Sequence, residues 1–169
     1  MKKQELVVTV GLPRSGKSTW SEAWVGKYKN RVRVSRDILK EMAGIRIYSE
    51  ETERLISRME SYCIRTSLSQ GYSVVIDALN LSDKVFHKWE SLVKLAEKDW
   101  GIEIDLKYVK FNTPVDICIA RDKKSSDPVG EYVIRRLHES YKNKLGEDGV
   151  IEVEDFDNLD EDKIFAVWE

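Results

Sequence analysis

Two hydrophobic periods alternate along this chain. Leu6–Val10 is near-continuously apolar, the pattern of a central parallel strand covered on both faces. From Lys17 the period changes. Trp20, Ala23, Trp24 and Tyr28 recur at three- and four-residue steps and predict a helix packed on the sheet, fraying at Gly26 and Asn30. Arg31–Ser35 alternates, with Val32 and Val34 on one face, and predicts a second strand. A short helix, Ile38–Ala43, follows and is closed by Gly44. Ser49–Gln70 reads as a long amphipathic helix ended by Gly71, with Leu55, Met59, Tyr62, Cys63 and Thr66 on one face and Glu and Arg on the other. Ser73–Ile76 is a third strand ending in Asp77. Ser82 is expected to cap a helix running to about Trp100, with Val85, Phe86, Trp89, Leu92, Val93 and Ala96 as its core stripe and Gly101 as its stop. Ile102, Ile104, Leu106 and Tyr108 alternate in a fourth strand. Thr113-Pro114-Val115-Asp116 starts a helix with Pro at its first position, and Val129–Leu145 is the last long helix. Val150, Ile151 and Val153 allow a short final strand.

The turn between the first strand and the first helix carries chemistry. Gly11, Gly16, Lys17 and Ser18 fill every fixed position of the P-loop pattern G-x-x-x-x-G-K-[ST]. A loop of this length points successive backbone N–H groups at a phosphate, and the helix behind it adds its positive end. Lys17 can reach β/γ-phosphates, and the Ser18 hydroxyl can bind Mg²⁺. The strand–helix order then predicts an α/β fold of the P-loop NTPase type. This is a three-layer sandwich with a mostly parallel central sheet and helices on both faces. Asp77, at the end of the third strand, matches a Walker-B acid that holds or orients Mg²⁺. Arg36-Asp37, at the end of the second, falls on the ligand-binding edge of such a sheet, and Asp37 can also serve as a helix N-cap. Residues 121–128 are polar and aperiodic, either an exposed loop or a lid that brings cations over the phosphates. The pattern argues against a guanine switch, because no D-x-x-G follows a strand and Asn143-Lys144-Leu145-Gly146 lacks the aspartate of N-K-x-D.

Charge sharpens this picture. The net charge of −2 is unevenly spread: residues 1–146 carry 27 Lys and Arg against 20 Asp and Glu, whereas residues 147–169 carry 1 Lys against 10 acids. The expected organisation is a basic P-loop body over 1–146, its lid at about 121–128, and an acidic C-terminal segment over 147–169 packed on it or trailing from it. A basic body suits a polyanionic ligand, and the acidic segment could compete with nucleic acid or simply aid solubility. At 41% hydrophobic and 34% charged, the 169 residues have the composition of one soluble globular domain. No apolar run approaches a membrane span, and Met1-Lys2-Lys3-Gln4-Glu5 does not resemble a signal peptide. No membrane contact is therefore expected, and a cytoplasmic location is. Cys63 and Cys118 are isolated in helical patterns, as core thiols of a reducing compartment, and His87 and His138 lack zinc-ligand spacing. Asp155-Phe156-Asp157 has the D-x-D form of aspartate-nucleophile phosphatases, but too few residues follow for such a domain.

Gly11–Thr19, Ser35-Arg36-Asp37, Val74–Leu81 and Arg121 with Lys123-Lys124 together resemble the kinase domain of phage-type polynucleotide 5′-kinases, over about residues 5–146. The resemblance implies an ATP- and Mg²⁺-dependent enzyme that moves the γ-phosphate to 5′-hydroxyl ends of DNA or RNA. It implies nucleotide contacts from Gly11, Pro13, Arg14, Ser15, Gly16, Lys17, Ser18 and Thr19, closed over by Arg121, Lys123 and Lys124. Ser18 and Asp77 would hold the metal. Asp37 would orient or deprotonate the attacking hydroxyl, with Arg36, Lys40, Asp77 and Asn80 on the acceptor side. Lys17, Asp37 and Arg121 would be the catalytic set. Three positions depart from the family pattern: Lys40 stands in place of an Arg, Ser125 near a second lid Arg, and Ala78 in place of a hydroxyl residue. ATP use is compatible with these changes. A nucleoside or other small acceptor, or an ATP-binding module that transfers nothing, is the competing reading.

Overall fold

The computed structural model describes residues 3–145. The readings placed on the acidic segment, including the strand near Val150 and the Asp155-Phe156-Asp157 triplet, lie outside the described residues.

Four parallel strands form the sheet: β1 (Gln4–Gly11), β2 (Arg31–Ser35), β3 (Ser73–Asp77) and β4 (Ile104–Phe111), in spatial order β2-β3-β1-β4. The registers Leu6↔Val74, Leu6↔Leu106 and Val34↔Ile76 keep the strand ends level. The β1 and β3 C-termini therefore meet at one edge, and Ser35 lies directly beside Asp77.

Strand alternation divides β1 between two cores. Leu6, Val8 and Val10 face a large cluster with Val74, Ile76, Ile56, Ile64, Trp89 and Ile134. Val7 faces a small aromatic one with Trp20, Trp24, Val75, Val109 and Phe111, supplied by α1 (Lys17–Gly26). The large face is covered by α3 (Glu50–Ser69), α4 (Asp83–Trp100), α5 (Val115–Lys123) and α6 (Glu131–Leu145), with the short α2 (Arg36–Met42) contributing Leu39.

The buried row of α3 differs from expectation. Ile56, Glu60, Ile64 and Leu68 are buried, Met59 and Cys63 flank them, and Leu55, Tyr62 and Thr66 are exposed. The stripe is turned because Glu60, read as solvent-facing from its charge, is only 2% exposed and sits in the middle of the buried row. Helix starts also shift. Pro114 is the N-cap of α5 rather than its first residue, and α6 begins at Glu131. Helix α5 runs on through Lys123, so the expected lid begins within helix rather than in loop. Ser82 occupies the N-cap of α4 without a side-chain cap bond.

Candidate active site

The P-loop is held open by its own backbone. Gly16 at the N-cap of α1 has φ 102° and Arg14 has φ 64°, both left-handed. A Cβ on Gly11 would lie 2.8 Å from Ser15 Oγ and 2.9 Å from Phe111 Cβ, so only glycine fits where β1 and β4 run side by side. Thr113 Oγ1 donates to the Ser15 carbonyl at 2.7 Å, and the Gly11 amide to the Leu79 carbonyl at 3.1 Å. Ser18 and Thr19 are exposed on the first turn of α1, whose free amides face the loop. Pro13, Arg14 and Gly16 are half-buried.

Lys17 is buried, and its Nζ donates to the Leu12 carbonyl and to Ser15 Oγ. Burial pushes its pKa down to about 8, against the opposing pull of Asp77, Cys118 and Asp37. The same balance shows that Asp77 and Asp37 both lie within electrostatic reach of the ammonium. Asp77 is buried, and Arg33 grips its Oδ2 with Nε at 2.9 Å and Nη2 at 2.6 Å while reaching Glu22 through Nη1. That grip orients the carboxylate. The Ser18 hydroxyl and the Asp77 carboxylate are hard oxygen donors, the type of ligand that suits Mg²⁺.

Asp37 lies exposed in the first turn of α2. The N-cap of that helix is Ser35, whose Oγ accepts from the Ile38 amide, so the capping role is already filled. Among the described residues the Asp37 carboxylate makes no hydrogen bond or ion pair. Arg36 does the opposite. Its guanidinium reaches Glu53 at 2.6 Å, Glu60 at 3.2 Å and Ser57 Oγ at 3.2 Å. Lys40 pairs with Glu53 at 3.0 Å, and Lys88 of α4 with Glu60 at 2.7 Å. Burial works to raise the Glu53 pKa, but Arg36 and Lys40 hold it below the ordinary carboxylate range.

Asn80, expected on the acceptor side, is turned inward. Its Nδ2 donates to the Thr9 carbonyl at 2.8 Å and its Oδ1 accepts from Trp89 Nε1 at 3.2 Å. Buried at φ 49°, it braces the ends of β1 and β3 against α4 and offers nothing to an acceptor.

The segment after α5 is tied to the P-loop through Arg14. Arg121 Nη1 donates to the Arg14 carbonyl at 3.2 Å. The Arg14 guanidinium in turn reaches Asp122 at 3.0 Å and the Asp127 carbonyl at 2.7 Å. Asp122 also accepts from the Val129 and Gly130 amides at 3.0 and 2.8 Å. Burial opposes its ionisation, but those amides and Arg14 win and lower its pKa. Lys123 pairs with Glu131 at 3.0 Å, and Lys124 is exposed. Sequence reasoning missed Arg33, Glu60 and Asp122. For Arg33 the signal was available, since it shares a strand face with Ser35, which the register sets beside Asp77.

A family model described as AAA domain, AAA_33, matches residues 6–145. The chain belongs to this P-loop family. A curated relative, the L-seryl-tRNA(Sec) kinase of Methanococcus maripaludis, is 25% identical over 142 residues, covering 80% of this chain and 52% of its own. Two structures of the Pnkp1/Rnl/Hen1 complex, one described as an RNA repair complex, match with TM-scores of 0.68 and 0.60. Their identities are 23% and 28%, over 95% and 72% of this chain and 53% and 40% of that one. A gluconokinase from Sinorhizobium meliloti matches in fold, with TM-score 0.56 at 15% identity over 99% of this chain and 93% of its own. The chain thus spans about half the length of the curated relative it matches. The AAA_33 family and the P-loop kinase fold agree with the sequence reading, and relatives that are kinases support a phosphotransferase. Among the described residues, no helix is long and apolar enough to cross a membrane.

Proposed function

We propose that this domain is an ATP- and Mg²⁺-dependent polynucleotide 5′-hydroxyl kinase. The observation that carries the reading is the unengaged Asp37 carboxylate, set at the sheet edge within reach of the Lys17 charge. Phosphoryl transfer has a loose transition state, so catalysis consists mostly of positioning and charge stabilisation. Lys17 and the loop amides from Gly11 to Thr19 hold the β/γ-phosphates, and Ser18 and Asp77 hold the metal. Asp37 accepts a hydrogen bond from the attacking hydroxyl and aligns it. Arg121 supports the loop at Arg14, and Lys123 and Lys124 supply charge near the nucleotide. Arg36 and Lys40 flank the acceptor. The relative named for L-seryl-tRNA(Sec) supports an acceptor that is carried on a nucleic acid, and its name puts the seryl group at the acceptor position.

A small hydroxylated metabolite is the second reading. One observation favours it: Arg36 and Lys40 are already paired with Glu53 and Glu60, which lowers the positive charge left for acceptor phosphates. The deciding experiment is transfer of labelled γ-phosphate from ATP–Mg²⁺ to 5′-OH DNA, 5′-OH RNA and free nucleosides, with Asp37→Ala alongside. Label on oligonucleotide ends, lost in the variant, is expected. Equal use of a bare nucleoside would favour the small acceptor.

A further inference from the structure

Between α3 and α4 lies a groove of about 620 Å³ whose walls include Ser57, Arg58, Tyr62, Arg65, Lys88 and Trp100. None of these wall residues belongs to the phosphate cradle, and two contacts tie the groove to Arg36. Ser57, at one end, accepts a hydrogen bond from Arg36, the neighbour of Asp37. Lys88 shares the Glu60 carboxylate with the same Arg36.

The chemistry along the groove is that of a single-strand track. Tyr62 stands 73% exposed on α3, where a stripe of core residues would bury it. Trp100 lines the far end with the Arg65 guanidinium 5.6 Å from its ring centroid. Past Glu53, helix α3 carries Arg54, Arg58 and Arg65, and its one further acid, Glu60, is buried and matched by two cations. Arg65 touches Asp99 at 3.3 Å, and Arg58 meets no carboxylate among the described residues. Arg36, Lys40, Arg58, Arg65 and Lys88 thus outnumber the three carboxylates that touch them. An exposed Tyr62 and a half-buried Trp100 beside cations along one helix are the elements that non-specific single-strand binding uses. From Ser57 to Arg65 the helix rises about 12 Å, the length of three to four stacked nucleotides at about 3.4 Å each.

We propose that this groove binds the single-stranded stretch of the acceptor downstream of its 5′ end, through phosphate contacts from Arg58, Arg65 and Lys88 and base stacking on Tyr62 and Trp100. The inference rests on the polynucleotide reading and deepens it. It also accounts for an acceptor site whose nearest cations are internally paired: the strand is held further along, and the 5′-nucleotide is only aligned at Asp37.

The test compares the wild-type chain with Tyr62→Ala and with the double variant Arg58→Ser/Arg65→Ser. All these side chains are exposed, so thermal midpoints should stay unchanged. Two readouts are taken: fluorescence anisotropy with a labelled 12-nucleotide single strand at several salt concentrations, and phosphate transfer to that strand and to a nucleoside 3′-phosphate. We expect the double variant to weaken strand binding and raise its KM at least tenfold, with kcat unchanged and the nucleoside 3′-phosphate unaffected. The slope of log K against log salt should fall in magnitude by about 1.4, two lost phosphate contacts at about 0.7 each. Tyr62→Ala should weaken binding about fivefold or more with the salt slope kept. Arg135→Ser, on α6 away from the groove, should change neither readout. Unchanged binding and KM in the groove variants, while the wild type still phosphorylates the strand, would overturn the groove and leave the kinase reading standing. If the wild type transfers nothing to any strand, the kinase reading fails, and binding alone judges the groove: variant-sensitive binding keeps it, and absent or insensitive binding overturns it.

Discussion

The P-loop and the proposed acceptor side of this molecule are built in opposite ways. The phosphate-facing groups of the cradle are local, since Gly11, Arg14, Ser15, Gly16 and Lys17 are close in sequence, and residues from β4 to α5 only brace them from behind through Phe111, Thr113, Arg121 and Asp122. The acceptor side joins α2, α3 and α4 through Arg36, Lys40, Glu53, Glu60 and Lys88, residues up to 52 positions apart. A cradle of backbone amides and one lysine suits any nucleoside triphosphate. A surface assembled from three helices changes whenever one helix face changes. One P-loop fold can therefore serve unlike acceptors, and substrate assignment has to come from the second region.

Breaking the cradle should abolish chemistry and spare the fold. Lys17→Met should reduce phosphoryl transfer by about 10³-fold, the scale for loss of one charge-stabilising donor, without lowering the midpoint of urea unfolding. Breaking the acceptor side should do the reverse. Glu60→Ala leaves Arg36 and Lys88 without their shared carboxylate and should cost about 3 kcal/mol, as for a broken buried ion pair, read from the same urea titration. A stability loss from Lys17→Met larger than that from Glu60→Ala would erase the distinction.

A titration sharpens it. The folded pKa of Lys17, about 8, lies below the ordinary lysine value of 10.5. Between these two values the unfolded chain binds more protons, so the Lys17 contribution to stability rises from about pH 8 to about pH 10.5. Phosphates favour the ammonium, so ATP affinity should fall above pH 8, by at most about tenfold per pH unit for a single proton, and calorimetry should show proton uptake on binding. Lys17→Met should lose both dependences. Asp122→Asn should have the smallest effect, about 1–2 kcal/mol from weakened bonds to two amides and Arg14. The Asp122 pKa is lowered in the fold, so its contribution is present above the unfolded carboxylate pKa and is lost as pH falls through the lowered value. Urea unfolding of wild type and variant should therefore converge in acid.

The chain by itself determined the strand–P-loop–helix order, the parallel α/β class and the position of Asp77 at the end of β3 and of Asp37 just past β2. All of these follow from periodicity and from spacings within a few residues. Sequence patterning misplaced Glu60, because a charged group is read as solvent-facing unless its partners are known, and the family resemblance set Asn80 on the acceptor side. Glu60 is buried only because Arg36 and Lys88 arrive from other helices, and Asn80 turns inward only because Trp89 and the Thr9 carbonyl meet it there. Likewise, nothing in residues 121–128 announces that Asp122 fastens Arg14 to the Val129 turn. A buried polar group is stable only with its partner in place, and partners 70 or more residues apart, as Thr9 is from Asn80, meet only in the folded chain.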